Sequence, residues 1–196
     1  AGGLVLALGL APPPVAQVLE SSMVGHVVIQ IPLLVLAGWL IGAALGTAPG
    51  VRVFLDEWNP AGIPGLLAAV FTALFWMLPR SLDQALADPA AELAKFASLP
   101  LLAGLPLGLS WGRLPTAARG FVWANLVSML AALGWLYLDA PVRLCNAYLT
   151  DQQAMLGWVL LVIAGAIAVS WIGILFFRDG GGIEPRQLPK SRLQEE

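Results

Sequence analysis

Five stretches of this chain are apolar over lengths that match the hydrocarbon core of a bilayer, and no other feature constrains the fold so tightly. A helix of about 17–25 apolar residues covers the roughly 30 Å of lipid tails. The stretches run over Val15–Leu45, Gly62–Leu78, Ala91–Ser110, Arg119–Leu138 and Ala154–Phe177. The first is overlong, so its beginning is expected to project or to lie at the interface. The third contains Pro100 and Pro106, each of which removes a helical N–H, and carries Glu92 and Lys95 near its start. Composition agrees with lipid as the solvent: 59% of residues are hydrophobic and 11% charged, against about 25% charged in soluble domains. The expected fold class is an all-α integral membrane helical bundle of about five transmembrane helices. It occupies residues 1–178 as one domain, with a polar, Gly- and Pro-rich tail over residues 179–196.

Several function classes are excluded at this level. A net charge of −2 is too small to suggest nucleic acid or an anionic surface as partner; membrane lipids and a larger membrane protein complex are the expected partners. One cysteine, Cys145, rules out an internal disulfide and any multi-cysteine metal site. One histidine, His26, rules out bis-histidine haem within the chain. No Walker loop, HExxH, GxSxG or dinucleotide fingerprint is present, and "GGG" at residues 180–182 reads as a hinge. An odd number of spans without a visible repeat argues against an inverted-repeat transporter. The opening "AGGLVLALGL" is apolar and lacks a basic leader region. It is compatible with the remainder of a cut signal peptide, a shortened first helix or an arbitrary chain boundary.

Basic residues orient the spans. Arg52, Arg113, Arg119, Arg178, Arg186, Lys190 and Arg192 share one side; Arg80, Lys95 and Arg143 share the other. The richer side is expected in the cytoplasm of a bacterial inner membrane, with the C-terminus there and the N-terminus outside.

Two spans carry glycines four apart: Gly38, Gly42 and Gly46 in the first, Gly104, Gly108 and Gly112 in the third. Such strips let helix backbones approach closely, and packing within one bundle is the expected use. The fifth span offers a weaker version in Ala164 with Ala168 and Ala166 with Ser170. Trp58 and Trp111 fall near span ends, where interfacial anchoring is expected.

Most of the unusual polar groups collect on the outer side. Glu20 and His26 begin the first span, Arg80 and Asp83 follow the second, and Asp139, Arg143, Cys145, Asn146, Asp151 and Gln152 lie between the fourth and fifth. An ionisable group in a span is expensive unless paired or wet. Met23, His26 and Gln30 can share one helical stripe. Three uses are open: Cu(I) held by Met23 and His26 with Cys145 or Met155; proton relay or quinol binding by Glu20 and His26; or a hydrogen bond from His26 to Asp151 or Gln152 that keeps helices in register. If Met23 and His26 faced lipid, both the metal and the register readings would fail.

Three segments resemble, in order, those of the multi-spanning CtaG-type cytochrome oxidase assembly factors: "MVGHVVIQIPLLVLAG", "LFWMLPRSLDQAL" and "LTDQQAMLGWVL". With the spacing between them they touch most of residues 20–175. The resemblance implies help in building the copper centre of a haem–copper oxidase. It matches His26 to the family's first histidine and Asp151 with Gln152 to its Asp-Gln pair. Met77 stands where the family's second segment has a histidine, and "DPAAELAKF" replaces further histidines. The implied metal candidates are His26, Met23 and Met77, with Cu(I) as the cofactor. The expected function is a non-enzymatic accessory protein of a respiratory or other copper-dependent complex, with Glu20, Gln30, Arg80, Asp83, Arg143, Asp151 and Gln152 as the polar or partner-facing set. The alternative is a permanent structural subunit that binds no metal and docks through its glycines.

Overall fold

The computed structural model describes residues 2–179. Nine helical segments follow one another: α1 (Gly2–Leu10), α2 (Pro13–Glu20), α3 (Gly25–Leu45), α4 (Pro49–Trp58), α5 (Pro60–Met77), α6 (Pro79–Ala87), α7 (Pro89–Trp111), α8 (Thr116–Asp139) and α9 (Thr150–Asp179). No strand occurs among the described residues. Five of these helices, α3, α5, α7, α8 and α9, are long and apolar enough to cross a membrane. The protein is an all-α, multi-pass membrane bundle. The polar tail expected over residues 179–196 lies, beyond Asp179, outside the described residues.

The overlong first span resolves into three pieces. Pro12, Pro13 and Pro14 break the chain after α1, and α2 turns away from it by 75°. A second break at Ser21 and Ser22 precedes α3. Gly3 lies against the backbone of Ala37 and the side chain of Ile41, so α1 runs antiparallel to α3. Its first residues therefore point away from Glu20.

Prolines shape α3 and α7 in the same way. Each contains one widened, π-helical turn, over Gly25–Gln30 and Leu99–Gly104. The N–H of Ile31 donates to the carbonyl of His26, and that of Leu105 to Pro100, five residues back in each case. Pro32 and Pro106 come next, with no N–H to continue the four-residue pattern. Widening the turn lets the helix continue through the proline, and such turns recur at functional sites.

These two helices pack backbone to backbone. A side chain at Gly38 or Gly42 would strike the carbonyl of Pro100 or Leu105, and one at Gly104 or Gly108 the carbonyl of Val35 or Trp39. Glycine is required at these four positions, as the four-residue spacing predicts. The outermost member of each strip behaves otherwise. A Cβ at Gly112 would meet nothing within 4 Å, and one at Gly46 only Gly42, Ala43 and the tip of Leu109. The expectation of close packing fails at Gly46 and Gly112 because α3 and α7 have already diverged there. In the α8–α9 hairpin the small pair is Gly134 with Gly157 rather than the expected alanines: Ala164 is buried, while Ala166 and Ser170 are exposed.

At the other membrane side, Asn59 joins span ends. It donates to Ser110 Oγ at 2.9 Å and accepts from the Gly65 N–H at 3.0 Å. Ala61 and Gly62, between Asn59 and Gly65, turn with positive φ, a conformation that favours glycine.

Candidate functional site

The site is built where α2, α3, α7 and the loop of residues 140–149 meet. Lys95 lies six residues into α7, about 9 Å along its axis, and is completely buried. Its ammonium has three protons and meets three acceptors: Glu20 Oε1 at 2.5 Å, Gln30 Oε1 at 3.0 Å and His26 Nε2 at 3.2 Å. Gln30 completes a circuit by donating from Nε2 to Glu20 Oε1 at 2.9 Å. His26 and Gln30 are themselves fully buried.

Hydrogen-bond directions fix the histidine's tautomer. The carbonyl of Glu20 can only accept, so the Tyr148 hydroxyl donates its single proton there, at 2.9 Å. The Tyr148 oxygen must then accept from His26 Nδ1–H, 3.0 Å away. Nε2 is left with a lone pair, which faces the Lys95 ammonium. His26 is thus neutral, and the centre as a whole carries one positive and one negative charge. Breaking a buried pair of this kind by removing one partner typically costs about 3–5 kcal/mol, because the other charge is left uncompensated.

Tyr148 reaches the site because the 140–149 loop is clipped down at two places. The Asp83 carboxylate of α6 accepts the backbone N–H groups of Asn146 at 2.8 Å and Ala147 at 3.2 Å, and also the Asn146 side chain. Gln153 of α9 accepts the Leu144 N–H at 2.9 Å and donates to the Tyr137 carbonyl at 3.1 Å. Cys145 is buried beneath the loop, its sulfur 3.9 Å from the Pro79 carbonyl. Burial, reinforced by the nearby Asp83 charge, pushes its thiol up to about 12. Burial also holds the Tyr148 phenol above its ordinary value, with Glu20 adding to the effect. Both groups remain neutral hydrogen-bonding residues.

The expected site residues divide sharply. Glu20, His26 and Gln30 come together. Met23 is fully buried on the same helix and makes none of the centre's hydrogen bonds; it belongs to a core cluster that also holds Val27, Trp76, Leu99 and Cys145, against which Met77 packs half-buried. Asp83 acts on the loop, one layer out. Arg80, Arg143 and Asp151 are exposed, and Gln152 is half-buried with its side-chain oxygen unpaired. The expected bond from His26 to Asp151 or Gln152 is replaced by Tyr148 and Lys95. Met155 is 61% exposed; it faces outward from α9 and does not converge on Met23.

Lys95, Tyr148 and Gln153 are the residues that sequence reasoning passed over. Lys95 was open to discovery by the rule that singled out Glu20 and His26, since it too is an ionisable group within an apolar run. Tyr148 carried no such signal.

Fold and site together define a multi-pass membrane protein with a self-satisfied, charged hydrogen-bond centre near one end of its bundle. No protein-family model, curated protein or solved structure matches the chain.

Proposed function

We propose that this chain is a non-enzymatic integral membrane accessory protein whose buried centre locks helices in register. The observation that carries this reading is the matching of all three Lys95 protons to Glu20, Gln30 and His26. A catalytic or transport site keeps a donor, acceptor or coordination position for its substrate; here these groups are spent on one another. The resemblance to oxidase assembly factors supports a respiratory or other copper-dependent complex as partner. Positive charge on Arg52, Arg113 and Arg119 supports a cytoplasmic location for that end of α3 and α7 in a bacterial inner membrane, with the Lys95 centre toward the outside.

The donors fit copper poorly in this arrangement. Both His26 nitrogens are engaged, Met155 points away, and Cu(I) at Nε2 would have to displace an ammonium. The reading is therefore closer to a permanent, metal-free subunit than to a copper carrier. The test is purification from native membranes in mild detergent, with anaerobic metal analysis under reducing conditions. Stoichiometric recovery with a larger membrane complex, and no copper on the isolated chain, is expected. One Cu(I) per chain, lost in His26→Ala, would overturn the metal-free reading and restore the copper-handling one.

A further inference from the structure

The glycine strips continue past the point where α3 and α7 touch, and their last members frame a cavity. Gly46, Arg52, Asp56, Trp111, Gly112 and Arg113 line a space of about 410 Å³ between the ends of α3 and α7 and the short helix α4. It lies at the membrane end opposite the Lys95 centre. Gly112 has ordinary right-handed helical φ and ψ, so its backbone does not require glycine, and neither does packing. What the missing side chain leaves is room.

The two arginines around that room keep donors that no protein group takes. Arg113 gives one Nη2 bond to Asp56. Arg52 spends only its Nε, on the Gly46 carbonyl at 3.4 Å. The lining side chains, Arg52, Arg113 and Asp56, sum to a single positive charge. An anion of charge −1 with several acceptor oxygens would neutralise it and engage the unspent faces of both guanidiniums, the geometry for which arginine is suited. Trp111, the last residue of α7, lies in the lining and places the mouth of the cavity at headgroup depth. The exposed side chains of Val53, Phe54 and Trp58 on α4 set that helix in the interface, where an amphipathic helix rests on lipid.

We propose that this cavity is a binding site for the phosphodiester headgroup of an anionic phospholipid, held by Arg52 and Arg113 in the space that Gly46 and Gly112 leave open. A lipid is favoured over a soluble phosphodiester because the cavity opens at the bilayer interface beside apolar helix faces that acyl chains would cover.

Two substitutions separate the site from the fold. Gly112→Leu fills the cavity from a position where a Cβ meets nothing, and Arg113→Gln removes the charge while keeping the stem. Each variant and the wild type would be reconstituted into bilayer discs of phosphatidylcholine with phosphatidylglycerol at one part in five, extracted, and weighed by native mass spectrometry. The wild type is expected to retain one phosphatidylglycerol per chain, with retention at least tenfold lower in both variants and unchanged in Gly165→Leu, which faces away. Equal retention in Gly112→Leu and the wild type would overturn the proposal, as would phosphatidylcholine held as well as phosphatidylglycerol. Binding of soluble glycerophosphoglycerol without any lipid adduct would overturn the lipid assignment.

Discussion

The α3–α7 pair and the α8–α9 hairpin solve the same packing problem differently. In α3 and α7, four glycines let two backbones touch, and 39% of each spanning window is buried; in α8 the share falls to 11%. The hairpin has one comparable contact, Gly134 against Gly157, close to its connecting loop. Lipid tails are as apolar as leucine, so close backbone contact and polar bonds supply what the hydrophobic effect cannot. The tight pair has both, and it is there that a lysine can be buried. The loose pair relies on its outer end, where Tyr137, Leu156 and Leu160 enter the core that contains Met23 and Leu99, and where Tyr148 bonds to His26.

The sharpest way to break this contrast is Lys95→Met. It leaves the Glu20 carboxylate facing an apolar stem, and a loss of about 3–5 kcal/mol is expected in reversible unfolding from mixed micelles. Adding Glu20→Gln should recover most of that loss. If the single and double variants are equally unstable, charge pairing is not what the centre contributes.

Gly104→Ala comes next. Its methyl group would strike the Val35 carbonyl, and separating two packed backbones is expected to cost about 1–3 kcal/mol. The counterpart Gly165→Ala on α9 meets nothing within 4 Å and should shift stability by no more than about 0.5 kcal/mol. Comparable losses at the two sites would mean that the Val35 carbonyl is not what excludes a side chain at Gly104.

Tyr148→Phe tests the tether. It removes the acceptor of His26 Nδ1–H and the donor to Glu20, leaving buried groups unsatisfied at a cost of about 1–3 kcal/mol. Amide exchange should quicken at the outer ends of α8 and α9 while the Gly38–Gly104 contact stays protected. Uniform quickening would mean that the hairpin is held by something else.

Near neutral pH the smallest effect on stability concerns Cys145, which matters only in alkali. With its thiol pushed up to about 12 from an ordinary value of 9.0, the folded chain keeps the proton while the unfolded chain loses it. Stability therefore falls as pH rises above 9.0 and levels off near 12. At pH 8, alkylation by iodoacetamide should be at least about a hundredfold slower in the folded than in the unfolded protein, since the thiolate is the nucleophile. Rapid labelling at pH 8 would show that the 140–149 loop lifts from Asp83.

What was legible in the sequence follows from which forces are local. Span length and hydropathy depend on consecutive residues, so the second to fifth spans fall within a few residues of their observed ends. Glycine spacing depends on one helix face, and Gly38, Gly42, Gly104 and Gly108 are used as that spacing implies. Pro100 and Pro106 signal an interruption, but whether a helix kinks or widens depends on the neighbour it must still touch. The centre was half legible. Glu20, His26 and Gln30 are separated by 10 residues or fewer, whereas the bond from His26 to Tyr148 spans 122 positions. No pattern within a single helix reveals it.

That separation has a consequence for how the protein is made. Glu20, His26 and Gln30 leave the ribosome long before the groups that satisfy them. At about 5–20 residues per second, His26 waits roughly 6–24 s for Tyr148, and Glu20 waits through the synthesis of two further spans for Lys95. During that interval the Glu20 carboxylate has no Lys95 to pair with. The centre cannot close until the 140–149 loop has been made, so a closed centre reports that the chain has been synthesised at least to Tyr148.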